Sequence, residues 1–178
     1  MDALFENYET LLARVSARCE EIESVLSGHM ACRKGCGGCC LNISLFPVEA
    51  LRLRLAFDTL EEDRTAFALA QAATSSDEGP CPLLDETGAC LLYAHRPLIC
   101  RTHGLPILFD DGQGNRRVDF CPENFQALES LSGEVMLDLD PMNQMLAAVN
   151  AMFCKALFGD TPPFERLSIA ETLSLELE

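Results

Sequence analysis

Eight cysteines fall in two stretches of the chain: Cys32, Cys36, Cys39 and Cys40 within nine residues, then Cys81, Cys90, Cys100 and Cys121. Thiolates are soft, negatively charged donors that suit zinc and equally suit iron, including iron–sulfur clusters. A C-x2-C step such as Cys36-Gly-Gly-Cys39 lets one turn of backbone present two sulfurs to one ion, at about 2.3 Å each. Eight thiols are enough for two four-ligand sites or for one polynuclear centre. Gly35, Gly37 and Gly38 are expected to supply backbone angles that other residues resist. Cys39 and Cys40 have Cα atoms about 3.8 Å apart. In an extended backbone their side chains diverge, so they are expected to serve different ions, or different irons of one cluster. The alternative is that one ligates while the other only packs.

Other chemistries are open to these thiols. A disulfide framework competes, although adjacent cysteines are awkward to bridge. Cys36-Gly-Gly-Cys39 has redox spacing, but such motifs sit at a helix start beside a βαβ sheet, and no such pattern is apparent. Cys32-x3-Cys36-x2-Cys39 has the spacing of radical S-adenosylmethionine enzymes, whose repeated β/α barrel has no counterpart here.

Cys100-Arg-Thr-His103 adds a candidate imidazole ligand, since neutral histidine binds metals. The competing reading is a solvent-facing or hydrogen-bonded ring. His29 lies near the first loop and is a third candidate, and His95 is expected to be structural. Arg33 and Lys34 lie between Cys32 and Cys36, and Arg96 and Arg101 flank Cys100. Four thiolates on one divalent ion leave a charge near −2, which arginines would offset. Arg101 is also a candidate to hold an anionic substrate.

The combined pattern Cys-x3-Cys-x2-Cys-Cys, Cys-Pro-Leu-Leu, Cys-Leu-Leu-Tyr-x2-Arg-Pro-x2-Cys-Arg and a late Cys resembles the CxxCxxCC, or YkgJ-type, family of zinc- or iron-chelating domains. The likeness covers roughly residues 32–121. The first spacing here is x3, one longer than the family's nominal x2. The resemblance implies that all eight cysteines belong to a metal site. The family is also described as similar to a flagellin lysine methylase, which implies an enzymatic relative.

The elements that must position these sulfurs are mainly helical. Leu4, Tyr8, Leu11, Val15, Cys19, Ile22 and Leu26 recur every three or four positions and predict an amphipathic helix from Asp2 to about Ser27. Cys19 lies on that stripe and is expected to pack in the core. A second helix is expected from Pro47, an allowed first-turn residue, to about Ala73, with the acids at 58–63 marking a break. Residues 74–80 read as a loop. CPLLDETGACLLY reads as two short extended pieces around Asp85–Gly88, and LPILFDDGQGNRRVDFC as a hairpin closing through 111–114. HRPLICRTHG between them reads as a turn. Asp140-Pro141 marks a helix start, with the stripe Met142, Met145, Leu146, Val149, Phe153 and Leu157 running to Gly159. Cys154 lies beside this stripe, in core or boundary. Ser168-Ile-Ala-Glu171 fits a capping box opening a last helix. The methionines read as core filler.

The expected fold is therefore mainly α. Helices at both ends (2–27 and about 140–176) pack around a central irregular cysteine-rich segment, about 29–121, carrying one or two short β-hairpins. At 178 residues the length suits one domain spanning 1–178. The 48% hydrophobic content supplies an ordinary core that needs no cysteine staples. The net charge of −15 argues against nucleic acid and anionic membrane partners. The acidic N-terminus lacks a signal-peptide core, and no apolar run approaches the roughly 18 residues of a membrane span. The expected compartment is the cytoplasm, where thiols stay reduced.

Two functions remain open from the sequence. One is a small protein whose zinc or iron is structural or stored. The other is an iron or iron–sulfur metalloenzyme with an open position near Arg101 and His103, acting on a protein or small anionic substrate. No GxGxxG loop, P-loop or serine nucleophile motif is present, so no reaction type is indicated.

Overall fold

The computed structural model describes residues 2–77, 79–159 and 161–176. The heptad-like stripe of the N-terminal segment forms α1 (Asp2–Leu26), followed by a 3₁₀ turn at Ser27–His29. Phe5, Tyr8, Leu11, Leu12, Val15, Cys19, Ile22 and Leu26 are buried along one side. That side packs on α5 (Leu139–Phe158), where Met142, Leu146, Phe153 and Cys154 are buried, to form a first core. Met145 and Leu157, expected on the buried stripe of this helix, are instead exposed. The stripe of α5 is narrower than the apolar residues alone suggest, and Cys154 fills the inner position.

The predicted break after the second helix start occurs: α2 runs Pro47–Phe57 and α3 Glu62–Ala72. Pro47 opens α2, where its missing N–H costs nothing. α2 is buried on two sides. Val48 joins the first core, while Ala50, Leu53, Ala56 and Phe57 join a second with Ala68 of α3 and Ile169 and Leu173 of α6 (Ile169–Leu173). Ser168 and Glu171 close the capping box that starts α6.

The segment His95–Gly104, expected as a turn, contains a short helix, α4 (Leu98–Thr102), after a 3₁₀ turn at Tyr93–His95. Its start is held by a side chain from another element: Glu49 of α2 accepts from the Leu98 N–H at 3.1 Å. Local sequence does not contain that cap, which is why the helix was not legible. The helix start placed at Asp140-Pro141 lies earlier, with Asp138 as the cap accepting from the Asp140 N–H.

Two small sheets complete the fold. β2 (Ile107–Asp110) and β3 (Arg116–Asp119) form the expected hairpin, and β4 (Leu137–Asp138) joins β2 in parallel. β1 (Ser44–Leu45) pairs antiparallel with β5 (Leu167–Ser168). The second expected hairpin, around Asp85–Gly88, shrinks to one bridge between Leu84 and Cys90. Residues 74–80 form the expected loop, with Glu78 outside the described residues. Among the described residues no helix is long and apolar enough to cross a membrane.

Candidate metal centre

Two short hydrogen-bonded links bring the cysteine-bearing stretches together. At one end the Phe125 N–H donates to His29 O at 2.7 Å and the Ala31 N–H to Asn124 Oδ1 at 2.7 Å. This ladder sets the segment after Cys121 against the segment before Cys32. At the other end the Cys81 N–H donates to Cys40 O at 3.0 Å and the Asn42 N–H to Gly79 O at 2.9 Å. Cys40 and Cys81 therefore face each other across a bridge of extended backbone.

Between these anchors residues 33–40 make two successive turns, closed by Cys36 N–H to Arg33 O and Cys40 N–H to Gly37 O, each 3.0 Å. Cys39 is thus inside a turn rather than in the extended backbone expected for the Cys39-Cys40 pair, and the two thiols stay in contact. Hydrogen bonding with Cys40 pushes Cys39 up to about 12, His103 beside it acting in the opposite sense. The same bond lowers Cys40. Of the three loop glycines only Gly35 has a positive φ, +87°. A Cβ there would meet Thr87 O at 2.7 Å, and one on Gly88 (φ +76°) would meet Gly35 O at 2.7 Å. The tips of the two cysteine loops thus touch backbone to backbone, which only glycine allows. Gly37 serves close packing instead: a Cβ there would lie 3.0 Å from Leu84 Cδ1.

The remaining sulfurs follow from these folds. The turn at Asp85–Ala89 returns the chain so that the Leu91 N–H reaches Leu83 O at 2.8 Å, which lays Cys90 alongside Cys81. Helix α4 delivers Cys100 to the same place. Burial, then Cys81, Cys40 and Cys90, push the Cys100 thiol up. Burial is also the main reason that Cys81 stands at about 11, with Cys90 adding to it. Cys32 is raised by burial against the hydrogen bond of Asn124, with Cys121, Cys36 and Cys39 as its thiol neighbours. The thiol neighbours of Cys32 (Cys36, Cys39 and Cys121) and those of Cys100 (Cys40, Cys81 and Cys90) consequently form two sets, which meet at Cys39–Cys40. All ten cysteines of the chain are free thiols. Cys19 and Cys154 sit in the first core. Among the described residues no three Cys, His, Asp or Glu side chains are drawn close enough together to hold one ion. The donors are gathered by type and number, and the ligating distances are not closed.

The basic residues divide unequally. Arg96 is a cation at the second group: it opposes the rise that burial gives Cys90, adds to the lowering that Cys39 gives Cys40, stacks 3.8 Å from the Tyr93 ring centre and donates to Cys100 O at 3.0 Å. Arg101 points elsewhere and is committed to Arg96 O, Ser16 Oγ and Ala94 O at 2.9–3.0 Å. Arg33 donates to Ala31 O. His103 lies beside Cys39, and the backbone carbonyl of His29 belongs to the anchor described above.

Two residues of the site carried no metal-ligand signal in the sequence. Asn124, 1% exposed, donates to Cys32 Sγ at 3.3 Å and Gly104 O at 2.8 Å while accepting from Ala31. Gly104 (φ +89°) leaves room for sulfur, since a Cβ would lie 2.8 Å from Cys32 Sγ. Their nearness in sequence to Cys121 and His103 was the one available pointer.

No curated protein and no solved structure gives a significant match to the chain. A family model, in contrast, matches residues 31–122, the stretch that holds both sulfur groups, Gly104 and the Cys40–Cys81 bridge, with Asn124 and Phe125 of the ladder just beyond its end. The chain belongs to the CxxCxxCC family, whose description is "Putative zinc- or iron-chelating domain".

Proposed function

We propose that the eight cysteines bind zinc or iron as two nearby ions or one polynuclear centre, with Cys32, Cys36, Cys39 and Cys121 on one side and Cys40, Cys81, Cys90 and Cys100 on the other. The single observation behind this reading is the sorting of eight free thiols into two groups of four that meet at Cys39–Cys40. The donor chemistry fits: soft thiolates in fours suit zinc and iron–sulfur centres alike. Arg96 offsets part of the thiolate charge, and Asn124 donates to one sulfur, as outer partners of metal ligands do. His103 stands beside Cys39 as a ninth donor. When bound, zinc supplies a crosslink between the two cysteine stretches, and iron adds redox capacity to the same crosslink. The chain's own part is to hold the two stretches in register through the Cys40–Cys81 and Asn124–Ala31 bonds. The role in this reading is metal binding; Arg101 commits three of its five N–H donors to protein acceptors.

The test is metal analysis of anaerobically purified protein, read with its visible spectrum. The expected result is two equivalents of zinc in a colourless sample, or iron with visible absorption. Cys40→Ser/Cys81→Ser is expected to lose metal from the second group. A wild-type protein without zinc or iron, or full metal content in that double variant, overturns the reading.

A further inference from the structure

The two sulfur groups sit in different surroundings. Cys81 is 7% exposed and packs with Leu83, Leu92, Leu53 and Phe57 in the second core, and Cys40 and Cys90 are packed against the same cluster. Cys100 is half-buried on α4, whose Leu98 is fixed by Glu49. Around the other group the chain from Cys32 to Cys36 is exposed at every residue, with Cys39 and Cys121 half-buried. Its buried supports are Asn124 and Gly104, which lie against the Cys32 sulfur, and Phe125, which is bonded to His29.

We infer that the two groups do different work: Cys40/Cys81/Cys90/Cys100 closes a structural site, and Cys32/Cys36/Cys39/Cys121 is an exchange site where a zinc or ferrous ion enters and leaves. This rests on the proposed two-group metal centre. The physical reason is access. An incoming ligand reaches a buried ion only after the packing around it opens, and core elements open with free energies approaching that of global unfolding. A loop with few buried apolar contacts opens at little cost. The turn Arg33–Cys36 can swing two sulfurs away from an ion while the Cys40–Cys81 bridge stays in place. The bond between His29 and Phe125 keeps the exposed group assembled when its ion is absent, so that an ion can return.

The experiment uses intact protein loaded anaerobically with two equivalents of zinc, then mixed with excess 4-(2-pyridylazo)resorcinol. Release is followed optically, and freed thiols are trapped with N-ethylmaleimide and mapped by mass spectrometry at successive times. Two phases of one equivalent each are expected, the first at least about tenfold faster, a ratio that a modest barrier difference produces. The first phase is expected to label Cys32, Cys36, Cys39 and Cys121 and to spare the other four. Cys32→Ser/Cys36→Ser is expected to lose the fast phase and keep the slow one. A single phase labelling all eight cysteines together, or first labelling at Cys81 or Cys100, overturns the division of labour while leaving the metal centre intact. Failure to take up two equivalents, with all eight thiols labelled at once before chelation, overturns the inference together with the reading beneath it.

Discussion

Asn124 and Gly104 show how much of a thiol's behaviour is decided by residues that ligate nothing. Replacing Asn124 with Ala strands the part-buried Ala31 N–H and the buried Gly104 carbonyl and removes a donor to sulfur. The expected cost is about 1–3 kcal/mol, measured by denaturant unfolding. Asn124→Asp keeps an acceptor for Ala31 but places negative charge against Cys32. It is expected to weaken zinc binding more than Asn124→Ala does, which chelator competition reads directly. Gly104→Ala meets both an unfavourable φ and the Cys32 sulfur at 2.8 Å. A loss on the order of 1–3 kcal/mol is expected from the backbone conformation alone. Labelling of Cys32 by N-ethylmaleimide in metal-free protein is expected to quicken in the same variant, since the sulfur is pushed from its seat.

Among the elements, the β2–β3 hairpin offers a pH prediction removed from the cysteines. The Asp111 carboxylate is lowered to about 2, first by the hydrogen bond from Arg117 and then by the N–H groups of Gln113 and Asn115. A folded value below the unfolded one of about 3.9 means that the stabilisation is present above about pH 4. It is lost as pH falls through about 2. Thermal melts of wild type and Asp111→Asn are therefore expected to differ at pH 5 and to converge as pH approaches 2. The elements also differ in how legible they were. α1, the α2–α3 break, the capping box of α6 and the β2–β3 hairpin follow from signals inside their own residues: a stripe, a proline, Ser168 with Glu171, and Asp111-Gly-Gln-Gly114. Helix α4 depends on Glu49 some fifty positions away, and β1 pairs with β5 across most of the chain. No local window contains either partner.

For the molecule as a whole, residues 81–121 have little regular structure beyond the short α4 and the β2–β3 hairpin, and the two cores lie on either side of α2. Structural thiolate sites contribute folding free energy on the order of 10 kcal/mol in small zinc modules. Stripping metal with a chelator is thus expected to expose residues 81–121 to protease while α1 and α5, which share the first core, stay protected. Digestion followed by mass spectrometry checks this, and unchanged protection of 81–121 would show that the core alone holds the segment. The residue types and spacings of the eight cysteines by themselves determined the donor chemistry and the family, because softness, charge and short-range reach are properties of the side chains and their order. Which sulfur neighbours which was decided only in three dimensions. The adjacent pair Cys39–Cys40 meets across a turn instead of separating, and Arg96 rather than Arg101 faces the sulfurs. Both outcomes depend on hydrogen bonds between segments distant in the chain, the Cys81 N–H to Cys40 O and the Ala31 N–H to the Asn124 side chain, and pairings of that kind have no signature in either stretch read alone.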